Sequence, residues 1–369
     1  MTNMAVNIAG VTWKNPVTTG SGTFGFGREY SEYFDLSELG AVCLKALSAV
    51  PRQGNPSPRI AEVEKGVLNS VGLQNPGAAA FLEKELPWLR TFDTKLIANL
   101  CGSTVEDYVA VAEILGDRVD MFELNISCPN VREGGMAFGT DPKMIEHITQ
   151  KVKAVSKVPL IVKLSPNVTD IAEMARAAEA GGADAISLIN TLLGMKIDVH
   201  TRRPILARNM GGLSGPAIKP IALRMVYQTR LATKLPIIGM GGIATGEDAV
   251  EFMLAGANAV AVGTAGLVAL LGYAVVFFGL VLLMIVVIGM GKIFIAKEKK
   301  VAAHSDAAKA AIAAVPEAPA DAPAAPGTAG KLKLYDVEPK TAAMLMAIVA
   351  DKMGKPLNEL RFISIKEVK

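Results

Sequence analysis

From the amino terminus to about residue 264, short apolar runs alternate with longer stretches in which apolar residues recur every three or four positions. The short runs have the pattern of buried strands and the longer ones that of amphipathic helices. The pattern predicts strands over Pro16–Thr19, Ala41–Leu44, Leu96–Leu100, Met121–Asn125, Leu160–Leu164, Ala185–Asn190, Ile237–Met240 and Ala259–Gly263. It predicts helices over Val105–Gly116, Pro142–Val155, Ile171–Gly181, Pro216–Ala232 and Gly246–Ala255. Gly116, Gly181 and Gly256 fall where helix C-terminal caps belong, and Asp141-Pro142 and Thr169-Asp170 supply N-terminal cap chemistry. Strands alternating with helices over this length predict an α/β fold, a (β/α)8 TIM barrel.

After Thr264 the pattern changes. Gly266 to Gly291 contains no charged residue and includes the run from Val275 to Ile288. About 25 helical residues rise roughly 37 Å, enough for a hydrocarbon core of about 30 Å. A buried core helix is the alternative, but it is rarely apolar on every face over such a length. The expectation is a single transmembrane helix over 265–291, with Lys292, Lys297, Lys299 and Lys300 marking its cytoplasmic side. A basic, then Ala/Pro-rich linker follows over 292–330, where Pro316, Pro319, Pro323 and Pro326 favour an extended chain. Residues 331–369 predict a small β-α-β tail: Lys331–Tyr335, a helix near Pro339–Met353, then Leu360–Lys366.

Composition narrows the function. A net charge of +3, with no basic stripe interleaved with aromatics, argues against nucleic acid. Cys43, Cys101 and Cys128 lie far apart, and His147, His200 and His304 are at no ligand spacing to them. That argues for a reducing compartment and for no metal site. The first residues lack the basic and apolar regions of a signal peptide, so none is expected.

Candidate chemistry gathers just after the predicted strands, the face on which such a barrel does its work. Asn125-Ile126-Ser127-Cys128-Pro129-Asn130 closes the fourth strand, because Pro129 cannot continue a ladder. The ordinary thiol pKa of about 8.5 makes Cys128 a usable base after a modest shift. A small buried cysteine is the plainer reading, but a packing site has no use for the flanking Asn125 and Asn130. Other strand ends carry Ser21 and Gly22, Lys45, Asn99, Lys163, and Asn190 with Thr191. Asn69, Gly72 and Leu73 lie in a loop between the second and third strands, and Ser214 and Gly215 just before a helix. Gly241, Gly242, Gly263 and Thr264 follow the last two strands, where backbone amides can approach a phosphate. Lys163 and Lys45 need anionic partners, since an uncompensated buried ammonium costs several kcal/mol. No Asp or Glu is beside either in sequence, so a bound anion is expected to supply them. Together these features favour a flavin mononucleotide (FMN) barrel.

Residues 1–264 resemble the catalytic subunit of the class I, NAD-linked dihydroorotate dehydrogenases. The resemblance runs through Asn125–Val131, Lys163–Asn167, Gly212–Pro220 and Gly239–Gly242. It implies a cytoplasmic FMN barrel, one FMN per chain, that oxidises dihydroorotate to orotate in pyrimidine biosynthesis. Cys128 would be the catalytic base. Asn69, Gly72, Leu73, Asn125, Asn190 and Thr191 would hold the substrate, with Lys45 reaching substrate and flavin. Ser21, Gly22, Asn99, Asn125 and Lys163 would contact FMN, while Ser214, Gly215, Gly241, Gly242, Gly263 and Thr264 would cradle its phosphate. The resemblance also implies a homodimer of barrels and a separate electron-transfer subunit carrying FAD and a 2Fe–2S cluster.

Past Thr264 the family's closing helix is missing from this pattern. From about Leu267 onward the chain looks instead like the gamma subunit of sodium-pumping, biotin-dependent decarboxylases such as oxaloacetate decarboxylase. That resemblance rests on the architecture and on Thr341-Ala342-Ala343-Met344 and Leu357–Phe362. It implies a membrane anchor or assembly role, with decarboxylase alpha and beta subunits as partners. The two resemblances read as a junction of two unrelated proteins, the barrel tied to the membrane through 265–291.

Overall fold

Each predicted strand forms: two with the predicted bounds, one a residue longer at its start, and five one or two residues shorter. They are β1 (Val17–Thr19), β2 (Ala41–Cys43), β3 (Lys95–Leu100), β4 (Met121–Asn125), β5 (Leu160–Lys163), β6 (Ala185–Leu188), β7 (Ile237–Met240) and β8 (Ala259–Val262). The computed structural model describes residues 3–126, 138–264, 332–356 and 359–366, together with Met284 and Ile288. The chain divides into two compact units, Met1–Val281 and Leu282–Lys369.

The eight strands form one parallel sheet in the order β1-β8-β7-β6-β5-β4-β3-β2. Only the β1–β2 seam lacks a regular ladder, and there a side chain stands in for the backbone. Thr19 Oγ1 accepts from Cys43 N at 3.0 Å and donates to Cys43 O at 3.2 Å. Gly40 N adds a bond to Val17 O at 3.1 Å. The result is a nearly closed (β/α)8 barrel.

Side chains alternate across each strand, and the two faces form separate cores. Outward residues such as Val42, Leu96, Phe122, Leu124, Val162, Ile186 and Ile237 pack against helix residues Val111, Leu115, Ile148, Val152, Met174, Met225, Val226 and Phe252. Inward residues near the strand starts, among them Ala41, Ile97, Met121, Ile161, Ala185, Ile238 and Ala259, fill the barrel. Ile8 and Trp13 join this inner cluster from an antiparallel hairpin, Val6–Ile8 with Val11–Trp13, which plugs the amino end. One step further up, the inward positions of β2 to β6 become polar, with Cys43, Asn99, Glu123, Lys163 and Ser187 all buried, while β7 and β8 keep Met240 and Ala261 there. The barrel is therefore apolar at its base and polar beneath its carboxyl end.

The helices follow the expected chemistry. Asp141 caps Pro142–Val155 through Lys143 N, and Asp170 caps Ile171–Ala180 through Ala172 N and Glu173 N. The helix predicted over Pro216–Ala232 divides into a 3-10 turn, Pro216–Ile218, and an α-helix, Lys219–Ala232. A four-stranded antiparallel sheet, absent from the sequence expectations, stands over the carboxyl end of the barrel. It orders Leu192–Met195, Met210–Ser214, Gly66–Asn69 and Ile60–Val63. Ser214, placed by the sequence just before a helix, thus ends a strand, Met210–Ser214.

In the second unit, Lys333–Tyr335 and Ser364–Lys366 pair in parallel around the helix Pro339–Met353. Gly354, in the left-handed region at φ 60°, ends that helix. No helix of the described residues is long and apolar enough to cross a membrane. The expected transmembrane helix over 265–291, save Met284 and Ile288, lies outside the described residues, as does the linker over 292–330.

Candidate functional site

A cavity of about 580 Å³ opens at the carboxyl ends of the barrel strands, within the usual size range for cofactor sites. Its wall includes Ser21, Gly22, Lys45, Asn69, Gly72, Leu73, Asn125, Lys163, Asn190, Thr191, Ser214, Gly215, Gly241, Gly242, Gly263 and Thr264. Candidate residues spread over some 240 positions of sequence thus meet around one space. Asn99 does not reach the wall; it is fully buried one layer below. Cys128 falls outside the described residues, with Ser127 and Asn130. Among the described residues no three His, Cys, Asp or Glu side chains are grouped to hold a metal ion.

The floor corrects one expectation. Lys163 does not wait for a bound anion: its Nζ is 3.4 Å from Glu123 Oε1. Glu123 was hidden in the apolar run Met121–Leu124. Its position was nonetheless readable, because Met121, Glu123 and Asn125 share the inward parity of β4. The carboxylate is only 2 % exposed and is surrounded by donors. Asn99 Nδ2 donates to Oε1 at 2.5 Å, Cys43 Sγ to the same oxygen at 3.4 Å, and Ser187 Oγ to Oε2 at 2.8 Å. Burial pushes the Glu123 carboxyl up, but the Lys163 ammonium and these donors outweigh it, and the pKa lies below its ordinary value. Burial and the neighbouring Glu123 raise the Cys43 thiol well above its usual range, so Cys43 is a donor here and no base.

Asparagines lead from this floor to the cavity. Asn125 Nδ2 donates to Asn99 Oδ1 at 3.3 Å, and Asn190 Nδ2 donates to Asn125 Oδ1 at 3.2 Å. Tyr108 OH donates to the Asn125 carbonyl at 2.8 Å and holds the end of β4 in place. Asn167 bonds Thr191 O at 3.1 Å and Leu193 N at 2.8 Å, fixing the loop that carries Thr191. Asn69 Nδ2 donates to Gly212 O at 3.3 Å, which ties the overlying sheet together.

The opposite wall is built from backbone. Gly242 has φ +79°, and a Cβ there would come within 2.7 Å of Lys219 Cβ and 3.0 Å of Gly215 O. Only glycine lets these two segments approach so closely. Ser214 Oγ and Thr264 Oγ1 meet at 3.0 Å beside them. Behind this corner, Lys219 Nζ reaches Asp248 at 2.6 Å and Glu251 at 2.7 Å, pinning one helix start to the next. A side-chain-free wall with hydroxyls beside it fits a phosphate-bearing group. Tyr30, Thr23 and Glu62 also line the cavity and were not foreseen; they come from two short helical turns, Ser21–Phe24 and Tyr30–Glu32, and from the overlying strand, all too short to show a periodicity.

Fold and cavity define a (β/α)8-barrel enzyme with its site at the carboxyl ends of the strands. The family model described as dihydroorotate dehydrogenase matches residues 3–275. The chain is 67% identical over 267 residues to the "Dihydroorotate dehydrogenase B (NAD(+)), catalytic subunit" of Alkaliphilus metalliredigens, covering 72% of this chain and 88% of that relative. It is 66% identical over 264 residues to the protein of that name from Alkaliphilus oremlandii, covering 71% and 87%. With that of a Geobacillus species it shares 58% over 270 residues, covering 73% and 86%. The chain belongs to the dihydroorotate dehydrogenase family. The family match runs to residue 275, beyond the Thr264 at which the sequence pattern was read as breaking. These matches lend nothing to the decarboxylase gamma-subunit reading of the tail.

Proposed function

We propose that the barrel oxidises dihydroorotate to orotate with one FMN per chain, as the catalytic subunit of an NAD-linked enzyme. The observation that supports it best is one cavity joining a glycine-walled corner to a floor of asparagines and a paired lysine, in a chain so similar to subunits of that name. FMN, when bound, supplies the acceptor for the hydride that leaves C6 of dihydroorotate. Gly215, Gly241, Gly242, Gly263, Ser214 and Thr264 would hold its phosphate by backbone amides and hydroxyls, and Ser21 and Gly22 would support the remainder, with Asn99 acting from the layer below through Asn125. Lys163 presents a cation at the cavity floor, and Lys45 stands between the cofactor and substrate regions. Asn69, Gly72, Leu73, Asn125, Asn190 and Thr191 orient the pyrimidine ring. Cys128, on the loop after β4, takes the proton from C5, so the substrate loses one hydride and one proton and gains a C5–C6 double bond.

The electrons would leave through a separate subunit bearing FAD and a 2Fe–2S cluster, with NAD as the final acceptor. The barrel is assigned to the cytoplasm and to a homodimer. The experiment is purification of the full chain, identification of the extracted flavin, and assay of orotate formation with an artificial electron acceptor. FMN with dihydroorotate-dependent turnover supports the reading; FMN without orotate formation overturns it.

A further inference from the structure

Glu123 touches neither the cavity nor anything in it, yet it is the one acid buried inside the barrel among the described residues. Its surroundings have a direction. An ionised carboxylate only accepts hydrogen bonds, so Asn99 must turn its NH2 toward Glu123. That leaves Asn99 Oδ1 facing Asn125, which must answer with its own NH2. Asn125 Oδ1 in turn accepts from Asn190 Nδ2. The three bonds, at 2.5, 3.3 and 3.2 Å, run the same way from the carboxylate to the cavity wall. Asn190 is held from its other side too, since its Oδ1 accepts from Thr191 N at 2.8 Å; without an obligate acceptor at the buried end, Asn99 and Asn125 could flip by 180° and trade oxygen for nitrogen, and the wall would offer substrate a mixture of donors and acceptors. Lys163 makes the acceptor permanent: its ammonium, 3.4 Å away, offsets the cost of burying the negative charge.

We propose that Glu123 is a positioning residue that sets the orientation of the Asn99 and Asn125 carboxamides, and with it the oxygen that Asn190 meets, and so fixes how the cavity wall recognises the pyrimidine ring. The inference rests on the dihydroorotate reading above. Hydrogen bonds in a chain polarise one another, so the effect is transmitted without contact between Glu123 and ligand. It is specific for a ligand with fixed donor and acceptor edges, as a dihydropyrimidine carboxylate has.

The test is a cycle of four full-length proteins: wild type, Glu123→Gln, Asn190→Ala, and the double variant. The readout is the dissociation constant of orotate, measured by calorimetry, with thermal unfolding followed alongside. Glu123→Gln keeps the side chain's shape but replaces a group that only accepts by one that can turn either oxygen or NH2 to the head of the chain. Orotate affinity should fall about tenfold, the scale of one lost or misdirected hydrogen bond. In the Asn190→Ala background the same change should alter affinity by less than about threefold, because residues sharing one network are non-additive. Equal losses in both backgrounds would show a general structural effect and overturn the proposal. Should Glu123→Gln fail to fold, Asn99→Ser cuts the chain while leaving the carboxylate with Lys163 and Ser187, and the same non-additivity with Asn190→Ala is expected. If wild type binds no orotate, the dihydroorotate reading falls and this inference with it. If wild type binds and the variants are additive, this inference alone falls.

Discussion

Lys163 and Glu123 are nearly buried together, 3.4 Å apart, and that pairing decides what removing either does. Lys163→Ala strips the cation from the cavity floor and leaves a carboxylate alone in the barrel. Breaking a buried pair from one side costs about 3–5 kcal/mol, so the variant should lose FMN and stability together. The sign of its pH dependence reverses as well. In the wild type the Glu123 carboxyl is held below its ordinary 4.5. Its contribution to stability is present above that value and fades as pH falls through the lower folded one. With Lys163 gone, burial raises the same carboxyl, and the deficit relative to wild type should grow as pH rises above 4.5. Urea unfolding of both proteins across that range checks this; a deficit independent of pH would contradict it. Cys128→Ala makes the opposite kind of change. If the thiol only moves a proton, dihydroorotate oxidation should vanish with FMN still bound; undiminished turnover removes Cys128 from the base role. Cys128 and Lys163 stood out in sequence because each is a chemically unusual residue at a strand end. Glu123 did not, because one acid inside an apolar strand looks like noise until the neighbouring strands are in register.

At the scale of elements, the barrel was legible because strands buried on both faces carry near-continuous apolar runs, which few other structures produce. The antiparallel sheet over the site was not. Met210–Ser214 contains two glycines, and a Cβ at Gly212 would collide with Thr191 Oγ1. The close approach that defines the strand also erases the alternation that would announce it. The phosphate corner shows the same economy. Gly242→Ala would force a side chain onto Lys219 at a positive φ. FMN affinity should fall at least about tenfold and stability by about 1–3 kcal/mol, seen by flavin retention and melting. Asp248 braces this corner from behind, accepting from Ala244 N and Thr245 N, both at 2.9 Å, and from Lys219. Burial works against its charge, but the Lys219 bond and the backbone amides hold its pKa at about 2. Its folded value is depressed, so its stabilisation is present above 3.8 and lost as pH falls toward about 2. Asp248→Asn should therefore lower stability at neutral pH and flatten acid unfolding within that window. An unchanged acid limb would mean that other carboxylates govern it.

On the scale of the whole molecule, the site belongs to one part of the chain. Every described residue lining the cavity falls between Gly20 and Thr264. The β-α-β tail was readable because its short apolar runs flank one amphipathic helix, and its two strands do pair in parallel. Its purpose was not readable, since no residue in it carries distinctive chemistry. Deleting 332–369 should leave FMN content per chain within about twofold, because the phosphate corner and the floor are both intact; loss of flavin would show that the tail supports the barrel. The central claim is that the cavity couples a bound flavin to dihydroorotate. It is tested most directly by anaerobic titration of the purified, FMN-loaded full chain with dihydroorotate, following flavin absorbance and orotate together. The expected result is bleaching of the flavin with one orotate formed per FMN reduced. A flavin that dithionite reduces but dihydroorotate does not would contradict it.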